Sequence, residues 1–162
     1  MAKRTWIGGD TTVAQVETFQ VTAADAASTY RLKVTDEGGT EELIVTGAGD
    51  AAVNTCASNL CTAWNSSIHP LASSITASVS TDTVTLTADT VGIPFYVTAD
   101  VSGGTGTIGS GTISTASRGP NDYNDPFNWK EGEIPAAGPP GDDVVITGSV
   151  SILYGLDQSG VA

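Results

Sequence analysis

Basic side chains are scarce in this chain: six Lys and Arg stand against 18 Asp and Glu in 162 residues. A formal charge of −12 repels phosphate backbones, and three of the six cations (Lys3, Arg4, Arg31) fall in the first 31 residues. Nucleic-acid binding through a basic patch therefore has no material to work with. Histidine is rarer still. With His69 alone and no G-x-S-x-G elbow, neither a zinc site nor a Ser/His hydrolase has its parts. The two cysteines, Cys56 and Cys61, lie five apart on a predicted helix and so point well round its cylinder from one another. That separation exceeds the roughly 7 Å between Cα atoms that a disulfide tolerates, and both are expected to be reduced. No run approaches the roughly 18 apolar residues needed to cross a bilayer, so no membrane partner is expected. Lys3-Arg4 is followed by Trp-Ile-Gly-Gly-Asp, which is not the apolar core of a secretory signal.

What is abundant is Thr, Val and Gly, a composition that favours short strands and tight turns over long helices. Residues 1–12 read as an extended lead-in and 13–22 as an irregular strand. The clearest hairpin spans 29–47: Tyr30, Leu32 and Val34 alternate with polar residues, Asp36-Glu37-Gly38-Gly39 turns the chain, and Leu43, Ile44 and Val45 return it. Asp50 is placed to N-cap a helix over 51–66, whose stripe Val53, Ala57, Leu60 and Trp64 carries Cys56 and Cys61 at its edges. Pro70 is expected to close that region. Strands follow at 75–80, 83–88 and 95–101. The order over 13–102 is β-β-β-α-β-β-β, which predicts an α+β, mostly β domain: an antiparallel sheet covered by one helix, with Trp64 buried. Residues 103–118, rich in Gly, Ser and Thr, read as a flexible linker or as a plain Thr-rich strand pair. Residues 119–162 form an aromatic turn and a β appendage with short strands at 144–146 and 149–154.

The aromatic turn is the most informative stretch. It places Tyr123, Phe127 and Trp129 before a Pro/Gly hinge, then Asp142-Asp143 before the strand Val144-Val145-Ile146. The pattern W-x-x-G-x-x-P followed by G-D-x-V-x-I resembles the opening segment of repetitive β-rich proteins, many of them β-helical, from bacterial surfaces and phage tails. The stretch I-T-A-S-V-S-T-D-T-V-T-L-T-A-D-T-V-G-I-P-F-Y-V-T, residues 75–98, resembles a module of phage structural proteins. The first resemblance implies that residues 119–162 are the first coil of a longer β-helix; the alternative is a tail that packs back on the domain. Together the resemblances imply a non-enzymatic virion structural protein (a decoration, tail or fibre component). Its expected partners are itself, with a trimer the best guess by analogy, and other virion proteins. The apolar tail Ile152, Leu153, Tyr154 and Leu156 adds surface that wants a neighbour. The rival reading is the N-terminal part of a bacterial surface β-helix, an adhesin-like binder of glycan or calcium. The missing signal fits assembly in the cytoplasm and release by lysis, or else a leader lost from the sequence.

Candidate chemistry is sparse. Gly104–Gly109 satisfies G-x-G-x-x-G, but poor helix formers follow it and the region about 20 positions on holds Asn128 and Trp129, so no dinucleotide cofactor is expected. Calcium is the sharpest chemical alternative, through Asp122, Asn124, Asp125, Asp142 and Asp143, although Asx-rich turns more often bond their own backbone. Tyr123, Phe127 and Trp129 offer a sugar-stacking platform or, more commonly, a plug that pins a turn to a sheet. The plug reading puts Trp129, Phe127 and Ile134 over the end of the strand at 144–146, with Asp142 or Asp143 accepting from backbone N–H groups. Trp6, in the Thr-Trp-Ile-Gly-Gly turn, is the matching structural residue near the N-terminus.

Overall fold

In the computed structural model, residues 2–36, 39, 41–121, 123–136 and 142–147 are described. Along the chain run β1 (Lys3–Thr5), β2 (Val16–Ala23), β3 (Thr29–Thr35), β4 (Glu42–Ala48), α1 (Val53–Asn65), α2 (Pro70–Ser73), β5 (Ile75–Ser80), β6 (Thr83–Ala88), β7 (Tyr96–Ser102), β8 (Thr107–Ile108), β9 (Thr112–Thr115), a 3-10 turn (Pro126–Asn128) and β10 (Asp143–Val145). The molecule is α+β and mostly β, with one main helix and antiparallel sheets, as the period-2 patterning predicts.

Two antiparallel sheets stand where one is expected. β3 is central to the first, ordered β4-β3-β7, and its pairing with β4 runs in register from Thr29↔Ala48 to Thr35↔Glu42. The second is ordered β5-β6-β2, and the free edge of β2 is shared by β9 along Val16–Thr18 and β8 along Val21–Ala23. β8 and β9 are thus one edge strand interrupted at Gly109–Gly111, with the Gly109 N–H donating to Gln20 O at 2.8 Å. Residues 103–118, expected as a flexible linker or a Thr-rich strand pair, hold two short strands that each pair with β2 rather than with each other. This Thr/Gly stretch supplies backbone to the ladder, and Ile108 packs against the core.

Helix α1 packs against both sheets, chiefly on β4 and β5. Cys56, Ala57, Leu60, Cys61 and Trp64 face inward, where they meet Phe19, Val21, Tyr30, Leu32, Val34, Val84 and Leu86. Both cysteines are free, and burial pushes the Cys61 thiol up from its usual range. Gly47 lets β4 and the helix touch, because a Cβ there would sit 2.6 Å from Leu60 Cα.

The helix also satisfies the sheet edges it covers. The Asn65 amide donates to Ala77 O at 2.8 Å and accepts from Ala77 N–H at 3.0 Å, standing in for a neighbouring strand on β5. Trp64 Nε1–H donates to Ile75 O at 2.8 Å, and Asn59 donates to Ala48 O at 3.0 Å.

Two local expectations are corrected. Asp50 is not the N-cap: its Oδ1 accepts from Ala52 N–H in a tight turn, so the helix starts at Val53 behind Ala52, which has no side-chain cap bond. Pro70 opens α2 rather than closing the region, with His69 Nδ1 accepting from Leu71 N–H.

Candidate functional site

Outside this body, residues 2–13 clasp residues 117–121, 123–136 and 142–147. β1 pairs with β10 in parallel, Lys3↔Asp143 to Thr5↔Val145, the one parallel pair among the described strands. The next residue, Trp6, donates its N–H to Val145 O at 2.9 Å and forms an antiparallel bridge with Trp129. The indoles meet edge to face, with centroids 5.0 Å apart at 82°, and Tyr123 packs on Trp129 likewise at 5.1 Å and 82°. Such contacts add about 0.5–1.5 kcal/mol each beyond area burial. Trp129 Nε1–H donates to Tyr123 O at 3.0 Å, which satisfies the one polar group of the buried ring.

Asn128 is the polar hub. It is wholly buried; its Nδ2 donates to Gly119 O at 2.6 Å and its Oδ1 accepts from Asp10 N–H at 3.1 Å. Its carbonyl accepts from Ile7 and Gly8 N–H. At the outer end Asp142 gathers Arg4 Nε at 3.0 Å, Ala2 N–H at 3.1 Å and Ala136 N–H at 3.2 Å. Arg4 foremost holds that carboxyl below the usual range, and Arg4 also reaches Glu133 at 2.6 Å.

The sequence-predicted residues divide. Trp6 and Trp129 come together, while Trp64 is buried in the body. Asp142 accepts one backbone N–H of its own turn, that of Ala136, and a second from Ala2 of the N-terminal segment. Phe127 and Ile134 are not part of the plug, being 61% and 45% exposed. The cause is the phase of the 3-10 turn: at three residues per turn its neighbours point about 120° apart, and Asn128 takes the inward position. Phe127 instead lies under Arg118, whose guanidinium carbon is 5.5 Å from the ring centroid. Tyr123 fills the place expected of Phe127. With Trp129 only 2% exposed, it has no open face for a sugar.

The described calcium candidates do not gather on one point. Asp125 turns inward to cap the 3-10 turn through Phe127 N–H, Asp142 is committed to Arg4, and Asp143 is exposed on β10. Asp122 lies outside the described residues, as do the strand expected at 149–154 and the tail Ile152, Leu153, Tyr154 and Leu156. Among the described residues no three His, Cys, Asp or Glu gather as metal ligands.

Of the glycines in the G-x-G-x-x-G stretch, Gly104 and Gly106 lie close to the β2–β3 connection and Gly109 lies against β2. Cβ atoms at Gly104 and Gly106 would strike Asp25, Ser28 and Tyr30 Oη, and Asp25 accepts from Thr105 N–H at 2.5 Å. A strand, β8, follows them, not a helix.

Sequence reasoning missed two acids, one buried and one partly buried. Glu17 shares the inward row of β2 with Phe19 and Val21, under Gly111, and burial pushes its carboxyl up to about 7. Its signal was available in the alternation of Glu17, Phe19 and Val21. Asp10 faces Asp125 across the clamp, and a pairing over that sequence distance leaves no local trace.

No protein-family model matches the chain, and no curated protein or solved structure is significantly similar to it.

Proposed function

We propose that this chain is a non-enzymatic structural component of a virion (capsid decoration, tail or fibre) that works by self-assembly and by binding other virion proteins. The observation that carries the reading is the parallel β1–β10 pair. In-register parallel stacking is how the coils of a β-solenoid bury their interiors, and a first pair alone is incomplete. Among the described residues β10 pairs with β1 alone, and Val144 and Ile146 are exposed beside its other edge. An open edge flanked by apolar side chains is a template for another strand. The reduced cysteines and the phage-like stretch at 75–98, which spans the β5–β6 hairpin and the entry to β7, support the same reading.

Sedimentation of the full chain tests the assembly claim: a homo-oligomer, best guessed as a trimer, is expected, and a stable monomer at tens of micromolar removes it. Mass spectrometry of purified particles tests the virion assignment. The rival, the start of a bacterial surface β-helix with adhesin-like binding, draws on the same parallel pair. Capsid and portal genes beside this one favour the virion; their absence beside a long cell-surface reading frame favours the rival.

A further inference from the structure

Asp10 and Asp125 meet between the N-terminal segment and the 3-10 turn. Asp125 is 5% exposed and the Asp10 side chain 9% exposed. The two carboxyl groups lie within hydrogen-bonding reach of each other, yet Oδ2 of each is shielded from water and receives no hydrogen bond. The other nearby bonds are already assigned: Asp125 Oδ1 accepts from Phe127 N–H at 2.9 Å, and Asp10 N–H is held by Asn128 Oδ1. Among the described residues the charged groups facing Asp125 are Asp10 and Arg118. Arg118 Nε stands 3.9 Å from Asp10 Oδ2, beyond a good hydrogen bond, with its guanidinium spread over Phe127. One loosely placed cation against two shielded anions leaves an excess negative charge, which is costly to bury.

A proton or a hard metal ion would relieve it. Calcium seeks about 6–8 oxygens, whereas this place offers two uncommitted carboxylate oxygens with a guanidinium on one side. The donor set fits a proton.

We propose that Asp10 and Asp125 share one proton, and that this proton latches the N-terminal segment onto the Trp129 turn. This inference is independent of the virion reading. With the proton present, the pair is joined by a charge-assisted O–H···O bond. When Asp125 ionises, its proton goes to solvent and two adjacent anions repel. The repulsion acts on the bonds that Asn128 makes to Ile7, Gly8 and Asp10, the contacts that hold Trp6 over Trp129. Burial, reinforced by Asp10 and opposed by Phe127 N–H and Arg118, pushes the Asp125 carboxyl up to about 6. A carboxyl raised on folding stabilises the fold in acid and loses that contribution as pH rises through its folded value. The latch is therefore tight in acid and loosens above about pH 6.

Acrylamide quenching of tryptophan emission in the full chain, from about pH 5 to pH 8, is the test. Quenching should rise severalfold with a midpoint near 6, the value to which Asp125 is pushed. In Asp125→Asn the amide donates to Asp10 at every pH, so the step should vanish and protection persist at high pH. Asp10→Asn presents the same pairing from the other side, and serves if Asp125→Asn fails to fold. Glu17→Gln should keep the step, which separates the clamp from the other raised carboxyl. A flat wild-type profile overturns the latch, as does a step that survives both Asn variants. Millimolar calcium restoring protection to the wild type at pH 8 would also overturn it, making the pair a cation site.

Discussion

The body (β2 to β9) and the clamp (residues 2–13 with 117–121, 123–136 and 142–147) bury comparable aromatics by different means. Trp64 belongs to a largely aliphatic core drawn from six strands (β2 to β7) and both helices, and the edges around it are closed by neutral amides. Trp6 and Trp129 sit on each other and on Tyr123, and what surrounds them is polar: Asn128, the Asp10–Asp125 pair, Arg118 and the Arg4–Asp142 bridge. Apolar burial is non-directional and tolerates small shifts. Directional polar bonds do not, and regions with fewer apolar contacts open locally before the whole chain unfolds. The body should therefore unfold as one unit, and the clamp should open on its own and respond to pH.

The largest effect expected is in the body. Trp64→Ala removes a ring from the core cluster that joins both sheets and leaves Ile75 O without its donor. A loss of about 3–5 kcal/mol in urea unfolding is expected, from the range for large aromatic truncations. A loss below about 1 kcal/mol would mean that Trp64 is not the keystone of the core.

Trp129→Ala should fall at the low end of that range, about 3 kcal/mol, and should act on local opening. Hydrogen exchange separates the two regions. The Ile7, Gly8 and Asp10 amides, bonded to Asn128, should lose protection, while Leu32 and Val34 in β3 keep theirs. Equal loss in both regions would erase the distinction between body and clamp.

This division follows what the sequence could reveal. β3, β5, β6 and the stripe of α1 were legible because side-chain alternation and helical spacing are local properties, fixed by which face meets the core. The outer edge of the second sheet was not, because β8 and β9 join β2 chiefly through backbone bonds and hydroxyl contacts such as Thr22 with Thr107, and Thr112–Thr115 is exposed throughout. In the clamp, Trp6 and Trp129 were legible as structural aromatics but their meeting across 123 positions was not. The phase of a three-residue turn then decided that Asn128 goes in and Phe127 out, a choice that hydrophobicity alone assigns the other way.

Glu17→Gln sharpens the comparison by testing the body for its own pH response. The Glu17 carboxyl is pushed up to about 7 by burial, so the wild type loses stability as pH rises from the ordinary glutamate range through 7. The glutamine side chain of the variant stays neutral throughout. At pH 8 the variant should be the more stable by about 1 kcal/mol, after discounting for solvent screening, and the two should converge in acid. Thermal melts at pH 5 and pH 8 read this directly. A variant less stable at both would mean that Glu17 makes a specific bond in its ionised form.

The smallest effect concerns the aromatic that the clamp leaves out. Phe127 is exposed, and its described contact is with the Arg118 guanidinium, a pairing worth about 0.5–1 kcal/mol at such sites. Phe127→Ala should therefore cost no more than that, and Ile134→Ala less, since its side chain is exposed without a described partner in the aromatic cluster. The Phe127→Ala variant keeps its backbone N–H, which still bonds Asp125, so the 3-10 turn retains its cap. Freed from the ring, Arg118 can approach Asp10, and a cation drawn closer to the acid pair favours the ionised forms. The quenching midpoint of the clamp should then move below its wild-type position near 6, while total stability hardly changes. A Phe127→Ala loss as large as that of Trp129→Ala would place the ring inside the plug after all, and the inward role given to Asn128 would fall with it.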